Sequence, residues 1–521
     1  MSRFNQKAVN PRDTINHEGA KAYGMLNPEM ELYARTASYL AQDTNYCKVA
    51  DANARIKELV GICDKNFVGR LAGYLRHQMY LRSTPILLLT YLAQCGKLEA
   101  WMVQDVISRA DEIKELLAAW QQETGRRDLK KLPKAMQNGI AKAFGKFNAF
   151  QFRKYNKQGR EEITFLDAMR ITHPKPMNEE QNTTYKAIKE GNLPPIETWE
   201  TVLSSGMNKR EAWELLIKGH KLPYMALLRN LVNISKADVD NVYIDMVVSQ
   251  LTNKDEILRS KQFPFRWTAA HDQLELMGGN QFITTAFQRA LEEALKTSVQ
   301  NIAGLNLKQN TIIACDVSGS MRNPLSVKSK IQLVDVGLLM GKLISAHNPR
   351  SLYGVFGDIW MPVHSGSSVL EKAYYDPHQI GFSTQGHKVI DWAADNNIKA
   401  EVFMFFSDME IYSLSDKDFF RSTSRLYLPI TNTVTWDERR ASFRKSWNNY
   451  KKLMPNAKCY LFDLSSYGST PVDVQRDDVI FSSGFSEKIF EVLDGTGNWN
   501  ETRTKIMMGA SKVREEEMQH E

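Results

Sequence analysis

The run Thr311-Ile-Ile-Ala-Cys-Asp316-Val-Ser318-Gly-Ser320-Met321 decides the architecture of this chain. A short, mostly apolar stretch ending in an acid reads as a buried strand that delivers Asp316 to its carboxyl edge. Gly319 lets the loop turn tightly, so the Ser318 and Ser320 hydroxyls can face the same point as the carboxylate. One acid and two hydroxyls are hard oxygen donors. They suit a hard octahedral cation such as Mg2+, with waters completing the shell. A metal held this way stays electron-poor and can accept an acidic ligand from a partner. The same residues would also serve, without metal, to cap the following helix.

Three further apolar runs follow: Ser351-Leu-Tyr-Gly-Val-Phe-Gly, Val402-Phe-Met-Phe-Phe-Ser and Cys459-Tyr-Leu-Phe. Helical stretches near 328–347, 387–396, 436–453 and 485–493 alternate with them. Strand and helix in alternation predict a doubly wound α/β domain with a mainly parallel sheet, binding ligands at the strands' carboxyl ends. Thr384, in Gly381-Phe-Ser-Thr, and Asp408, ending Phe403-Met-Phe-Phe-Ser-Asp, fall at such positions. Together Asp316, Ser318, Ser320, Thr384 and Asp408 resemble the metal-ion-dependent adhesion site of von Willebrand factor A domains. The expected cofactor is Mg2+ or another divalent cation.

Upstream, residues 28–299 read as helix after helix. Stretches near 66–79, 98–120, 133–147, 209–220, 223–232, 237–251 and 281–298 are separated by breakers such as Pro133, His173-Pro-Lys-Pro, Leu193-Pro-Pro and Phe263-Pro-Phe. Many helices on short connections suggest a helical-repeat array, although no sequence period is strict. The expected domains are a helical one over 1–304, the A-type domain over 305–509 and a charged tail over 510–521.

Charge is concentrated in the helical part. The chain of 521 residues carries a net +7. Residues 126–160 contain eleven Lys or Arg against one acid, Asp128. Phe144, Phe147, Phe150, Phe152 and Tyr155 are interleaved with them. A basic field with aromatic neighbours is the footprint of a phosphate-backbone binder. A helix with its aromatics in the core and its lysines in water would give the same composition. The candidate RNA-binding residues of this segment are Lys130, Lys131, Lys134, Lys142, Lys146, Arg153, Lys154, Lys157 and Arg160.

Helical repeats followed by an A-type domain resemble the TROVE-domain proteins, the Ro autoantigen and its bacterial Ro-type relatives. The resemblance is carried by Thr14-Ile-Asn-His-Glu-Gly-Ala, Phe67-Val-Gly-Arg-Leu-Ala-Gly-Tyr-Leu-Arg, Lys154-Tyr, Arg170-Ile-Thr-His-Pro-Lys-Pro, Leu222-Pro-Tyr-Met-Ala-Leu-Leu-Arg-Asn-Leu and Phe263-Pro-Phe-Arg, besides the metal motif. It implies HEAT-like repeats closed into a ring. It also implies Y-like small RNA on an outer basic surface, misfolded RNA held by a single-stranded 3′ end, and an exoribonuclease partner. The family's Y RNA contacts match Lys154, Lys157 or Arg160, and His173. On residue type alone, His173 could equally cap a helix before Pro174. One departure stands out: relatives often carry Gly-Gly-Thr-Asp where this chain has Phe382-Ser383-Thr384-Gln385.

Other classes fit less well. The five cysteines form no CxxC pair, against a zinc knuckle or redox dithiol and in favour of a reducing compartment. The first residues lack an apolar signal region, and no apolar stretch approaches bilayer length. A cytoplasmic monomer away from membranes is expected. There is no P-loop, HExxH or GxSxG, so no enzyme is expected. The rivals are a metal-dependent protein-interaction scaffold and, more remotely, a Mg2+-dependent nuclease, which would need more clustered carboxylates.

Overall fold

The computed structural model describes residues 13–15, 21–23, 27–37, 49–125, 129–156, 163–194, 196, 198–260, 262, 264–298, 309–324, 331–363, 375–409, 411, 436–465, 471, 478–483 and 499–509. Two compact units divide the chain. One comprises residues 28–37, 53–221 and 499–521, and the other 1–27, 38–52 and 222–498. This division by compactness is a different partition from the compositional boundaries at 304 and 509. The expected helix 485–493 and tail 510–521 lie outside the described residues.

The first unit is built from helices. Lys65–His77 is capped by Asp64, whose side chain accepts the Asn66 and Phe67 N–H groups. Its apolar face of Phe67, Val68, Leu71 and Leu75 is fully buried. The stretch expected as one helix over 98–120 is two, Ala100–Val106 and Ala110–Thr124. Glu112 causes the second start: its carboxylate accepts the N–H groups of Ser108 at 2.8 Å and Arg109 at 3.1 Å. Lys134–Phe144, Ala149–Tyr155 and Phe165–Thr172 follow, begun respectively after Pro133, Asn148 and Thr164. The helix Trp499–Met508 also belongs here. Trp499 packs tilted against Tyr33 and edge-on to Phe67, and Arg503 pairs with Glu29 at 2.5 Å.

The second unit holds a hairpin, β1 (Asp13–Ile15) against β2 (Lys21–Tyr23), five helices from Tyr224 to Ser298, and a six-stranded sheet. The sheet strands are β3 (Thr311–Asp316), β4 (Ser351–Phe356), β5 (Trp360–Pro362), β6 (Val402–Ser407), β7 (Lys458–Asp463) and β8 (Val479–Ser483). Their order is β5-β4-β3-β6-β7-β8, all parallel except β5. Pro362 ends β5, tolerable because that strand is an edge. One face is covered by Leu333–His347, which approaches so closely that a Cβ at Gly341 would strike the Cys315 sulfur and the Tyr353 ring. The other face packs on Val389, Ile390, Phe443, Trp447 and Tyr450. Burial on both faces explains why β3 and β6 read as continuous apolar runs.

The chain reverses direction across the sheet between β3 and β6, because β4 lies on one side of β3 and β6 on the other. Such a switch point opens a crevice at the carboxyl ends of the strands.

Candidate functional site

The predicted metal residues collect at that crevice. Asp316 ends β3 and is fully buried. Its Oδ1 accepts the Ser318 N–H at 2.9 Å, folding the loop back on the carboxylate. The Ser318 hydroxyl lies 3.3 Å from the Ser320 hydroxyl, so the two serines of the loop face each other. Ser320 begins a short 3-10 turn, Ser320–Arg322. Asp408 follows β6, equally buried, and its carboxylate acts on Asp316 through space.

Thr384 arrives from the connection between β5 and β6. Its loop is stitched to the others by backbone bonds: Gly319 N–H to the Phe382 carbonyl and Gln385 N–H to the Gly357 carbonyl, each 3.0 Å. Thr384 itself is buried.

Residues that sequence reasoning missed complete the arrangement. Ser407 ends β6, one residue past the Cys315–Phe406 pair of β3 and β6, and donates to the Asp316 Oδ2 at 2.6 Å. Asp463, at the end of β7, accepts the Ser465 hydroxyl at 2.7 Å, and that hydroxyl also lies 3.3 Å from the Asp408 carbonyl. Asp463-Leu-Ser465 repeats the D-x-S spacing at a strand end, a signal legible in the sequence.

The electrostatics fit a cation. Burial, with the Asp408 charge added, holds the Asp316 carboxyl well above the usual carboxylate range. Asp316 hydrogen-bonds to neutral donors only, and no described Lys or Arg forms an ion pair with it. Two buried carboxylates and three hydroxyls make an all-oxygen donor set whose negative charge a hard divalent ion would balance.

The basic residues stand differently. Lys131, Lys134, Lys142 and Lys154 are exposed, and none has a described carboxylate within ion-pair distance. Three acids of the neighbouring helix Ala110–Thr124 are already engaged, Glu112 with Arg76 at 2.8 Å, Asp111 with Arg82 and Arg109, and Glu115 with Arg82. Lys154 lies over the Tyr155 ring, which Arg109 also covers at 4.7 Å. Lys146 is exposed too, but its ammonium is engaged. Its ammonium bonds to the Gln104 carbonyl and to that of Ile107 at 3.0 Å, closing the end of Ala100–Val106. Burial lowers its pKa. Arg153 donates to the Pro194 carbonyl at 3.0 Å. The side chain of Lys130, and Lys157 and Arg160 altogether, lie outside the described residues.

His173 ends the helix Phe165–Thr172 in the left-handed region, φ 48° and ψ 56°, with its N–H bonded to the Met169 carbonyl. Its backbone caps the helix and its ring is exposed. Of the interleaved aromatics, Phe144, Phe147 and Phe152 belong to the core, packed with Phe165 and Tyr185. Only Phe150 is well exposed, at 53%.

Comparison with known proteins adds the family signal. The TROVE domain model matches residues 185–298. "RNA-binding protein RO60" of Deinococcus radiodurans is 23% identical over 296 residues, 49% of this chain and 55% of that protein. The protein of the same name from Caenorhabditis elegans is 25% identical over 222 residues, 41% and 34%. "Telomerase protein component 1" of Rattus norvegicus is 42% identical over 79 residues, but these are 15% of this chain and 3% of that protein. The chain thus spans a small piece of the telomerase protein and about half or a third of the two RO60 proteins. The crystal structure of the Deinococcus radiodurans RO (RSR) protein superposes with a TM-score of 0.60 at 16% identity, covering 91% of this chain and all of that one. The fold is therefore that of the Deinococcus radiodurans protein, a helical region with a six-stranded, mainly parallel sheet, and residues 185–298 are similar to the TROVE domain.

Proposed function

We propose that this TROVE-domain chain, similar to the Ro-type RNA-binding proteins, binds RNA without cleaving it. The observation that carries the reading is the set of four exposed lysines, Lys131, Lys134, Lys142 and Lys154, without described acidic partners, together with the exposed His173. Such a face attracts phosphate and carries no sequence code, because ammonium groups read charge rather than base edges. Its occupant is a structured, Y-like small RNA. A single-stranded 3′ end of a misfolded RNA is a second ligand on a different surface. The role is small-RNA quality control or stability in the cytoplasm, by a monomer working with an exoribonuclease.

The sheet edge has a separate task. Asp316, Ser318, Ser320, Thr384 and Asp408 would hold Mg2+ or a similar ion, directly or through water. Bound there, the ion offers an electron-poor position for a partner's carboxylate. This chain's residues place the donors, bury them and align Asp316 through Ser407. The buried donors also favour, as a second reading, a scaffold that grips an acidic protein partner through the metal.

A salt titration tests the RNA reading. Affinity for a hairpin RNA with a 3′ tail, and for its tail-less form, is measured from low to moderate salt, and a gel follows the RNA. Log affinity should fall linearly with log salt, by roughly 0.7 per phosphate contact on a single strand. The tailed RNA should bind more tightly and both should stay intact. A flat salt response would overturn the reading. Mg2+-dependent cleavage lost in Asp316→Ala would make the protein a nuclease.

A further inference from the structure

We propose that Asp358, outside the five-residue donor set, is the positioning residue that holds Thr384 in place for the divalent cation. The inference rests on the metal reading above. A threonine hydroxyl is a neutral and weak metal donor. It helps only where its backbone is fixed beforehand, and the Thr384 loop has no helix or strand of its own to fix it.

Asp358 supplies the missing anchor. It sits in the turn after β4, and its own N–H donates to the Ile380 carbonyl at 2.8 Å. Its Oδ1 accepts both the N–H of Ser383, at 3.1 Å, and the Ser383 hydroxyl. Gly381 has φ +85°, and a Cβ there would collide with the Asp358 carboxylate, so the loop wraps the acid without room for a side chain. On the far side of Thr384, Gln385 donates its N–H to the Gly357 carbonyl at 3.0 Å and its side-chain amide to the Ser383 hydroxyl at 3.2 Å. Both neighbours of Thr384 are thus tied to the Gly357-Asp358 turn. Asp358 forms no ion pair with a described residue. The same loop reaches the serines through the Gly319–Phe382 backbone bond. Asp358 therefore acts on the metal site through Thr384, the way outer hydrogen-bond partners orient metal ligands elsewhere.

The test is Mn2+ binding to the full chain, followed by the paramagnetic signal of free Mn2+ and by competition with Mg2+. Asp358→Ala should weaken Mn2+ binding by about 10- to 100-fold, the usual cost of losing such a partner. Asp358→Asn keeps an acceptor for the Ser383 N–H and should recover most of the affinity. In a Thr384→Ala background, Asp358→Ala should add less than about a two-fold change, since a positioning residue has nothing left to position. Near-UV circular dichroism reports folding, and if Asp358→Ala does not fold, Ser383→Ala replaces it and should weaken Mn2+ in the same direction. Wild-type affinity in a folded Asp358→Ala, or a full additional loss in the Thr384→Ala background, would overturn this inference and leave the metal reading standing. Absence of Mn2+ binding by the wild-type protein would overturn the metal reading, and this inference with it.

Discussion

The carboxyl edge of the sheet and the basic helical face are held in opposite ways. At the sheet edge, Asp316, Ser318, Thr384 and Asp408 are buried; Ser407, ending β6, and Ser465, after β7, donate hydrogen bonds there, and the Phe382 carbonyl accepts one from Gly319. On the helical face, Lys131, Lys134, Lys142 and Lys154 stand in solvent with no described acid beside them. The first arrangement fixes geometry before any ligand arrives, at the cost of confining like charges. The second leaves geometry loose and keeps charge available. A small hard ion demands the former, because its ligand distances tolerate little variation. A polyanion demands only the latter, since its phosphates are many and uniform.

The largest expected effect tests the independence of the two regions. Asp316→Ala should abolish Mg2+ and Mn2+ binding while leaving RNA affinity within about two-fold, because sites without shared contacts act additively. Asp316→Asn should raise the melting temperature of the metal-free protein, since it removes one of two buried carboxylate charges. Saturating Mg2+ should narrow that gap, as an ion at 100 times its dissociation constant stabilises by about 2.7 kcal/mol. Thermal denaturation with and without Mg2+ checks both. Loss of RNA affinity in folded Asp316→Ala would break the separation.

The next effect divides the aromatics on the helical side. Phe152 is fully buried, 5.6 Å ring to ring from Phe144 and 5.2 Å from Phe165. Phe152→Ala should cost about 3–5 kcal/mol of stability, by urea denaturation. Phe150, two residues earlier on the same helix, points to solvent, and Phe150→Ala should change stability by less than about 0.5 kcal/mol. If it stacks on a single-stranded base, its loss should weaken tailed RNA by about 1–3 kcal/mol. An equal effect on both stability and binding would show that the exposed ring is structural after all.

The two regions were also unequally legible in the sequence. The strands and their terminal acids can be read because burial on both faces writes continuous apolar runs, and Asp316 and Asp408 close two of them. The four inner strands β4, β3, β6 and β7 followed from that, while the two edge strands β5 and β8 did not. Ser407 and Asp358 could not be read, since parallel register and a turn bring them to the site rather than sequence spacing. On the helical side, charge is legible but direction is not. Lys146 and Arg153 belong to the same basic run as Lys142 and Lys154, yet they turn to carbonyls of Ile107 and Pro194. Three of the five aromatics turn inward. The break at Ile107 was hidden because its cause, Glu112, lies inside the next helix and acts backward through its side chain.

The smallest expected effect concerns the basic face itself, and it is set by charge and backbone together. Lys154→Ala removes one exposed ammonium without disturbing an ion pair among the described residues. It should weaken a structured RNA several-fold and flatten the slope of log affinity against log salt by about 1. His173 needs another substitution, because its backbone lies at φ 48°, where most side chains are strained. His173→Gly keeps that conformation and removes only the ring. It should weaken the structured RNA by removing one hydrogen-bonding ring from the surface. Both variants should bind a single-stranded tail almost as the wild type does. Filter binding at four or five salt concentrations, with structured and tailed RNAs in parallel, measures all of this. If the tail and the structured RNA lose affinity together, one surface serves both ligands. If Lys154→Ala leaves the slope unchanged, the exposed lysines are a solvated face, and the contrast with the metal edge loses its functional meaning.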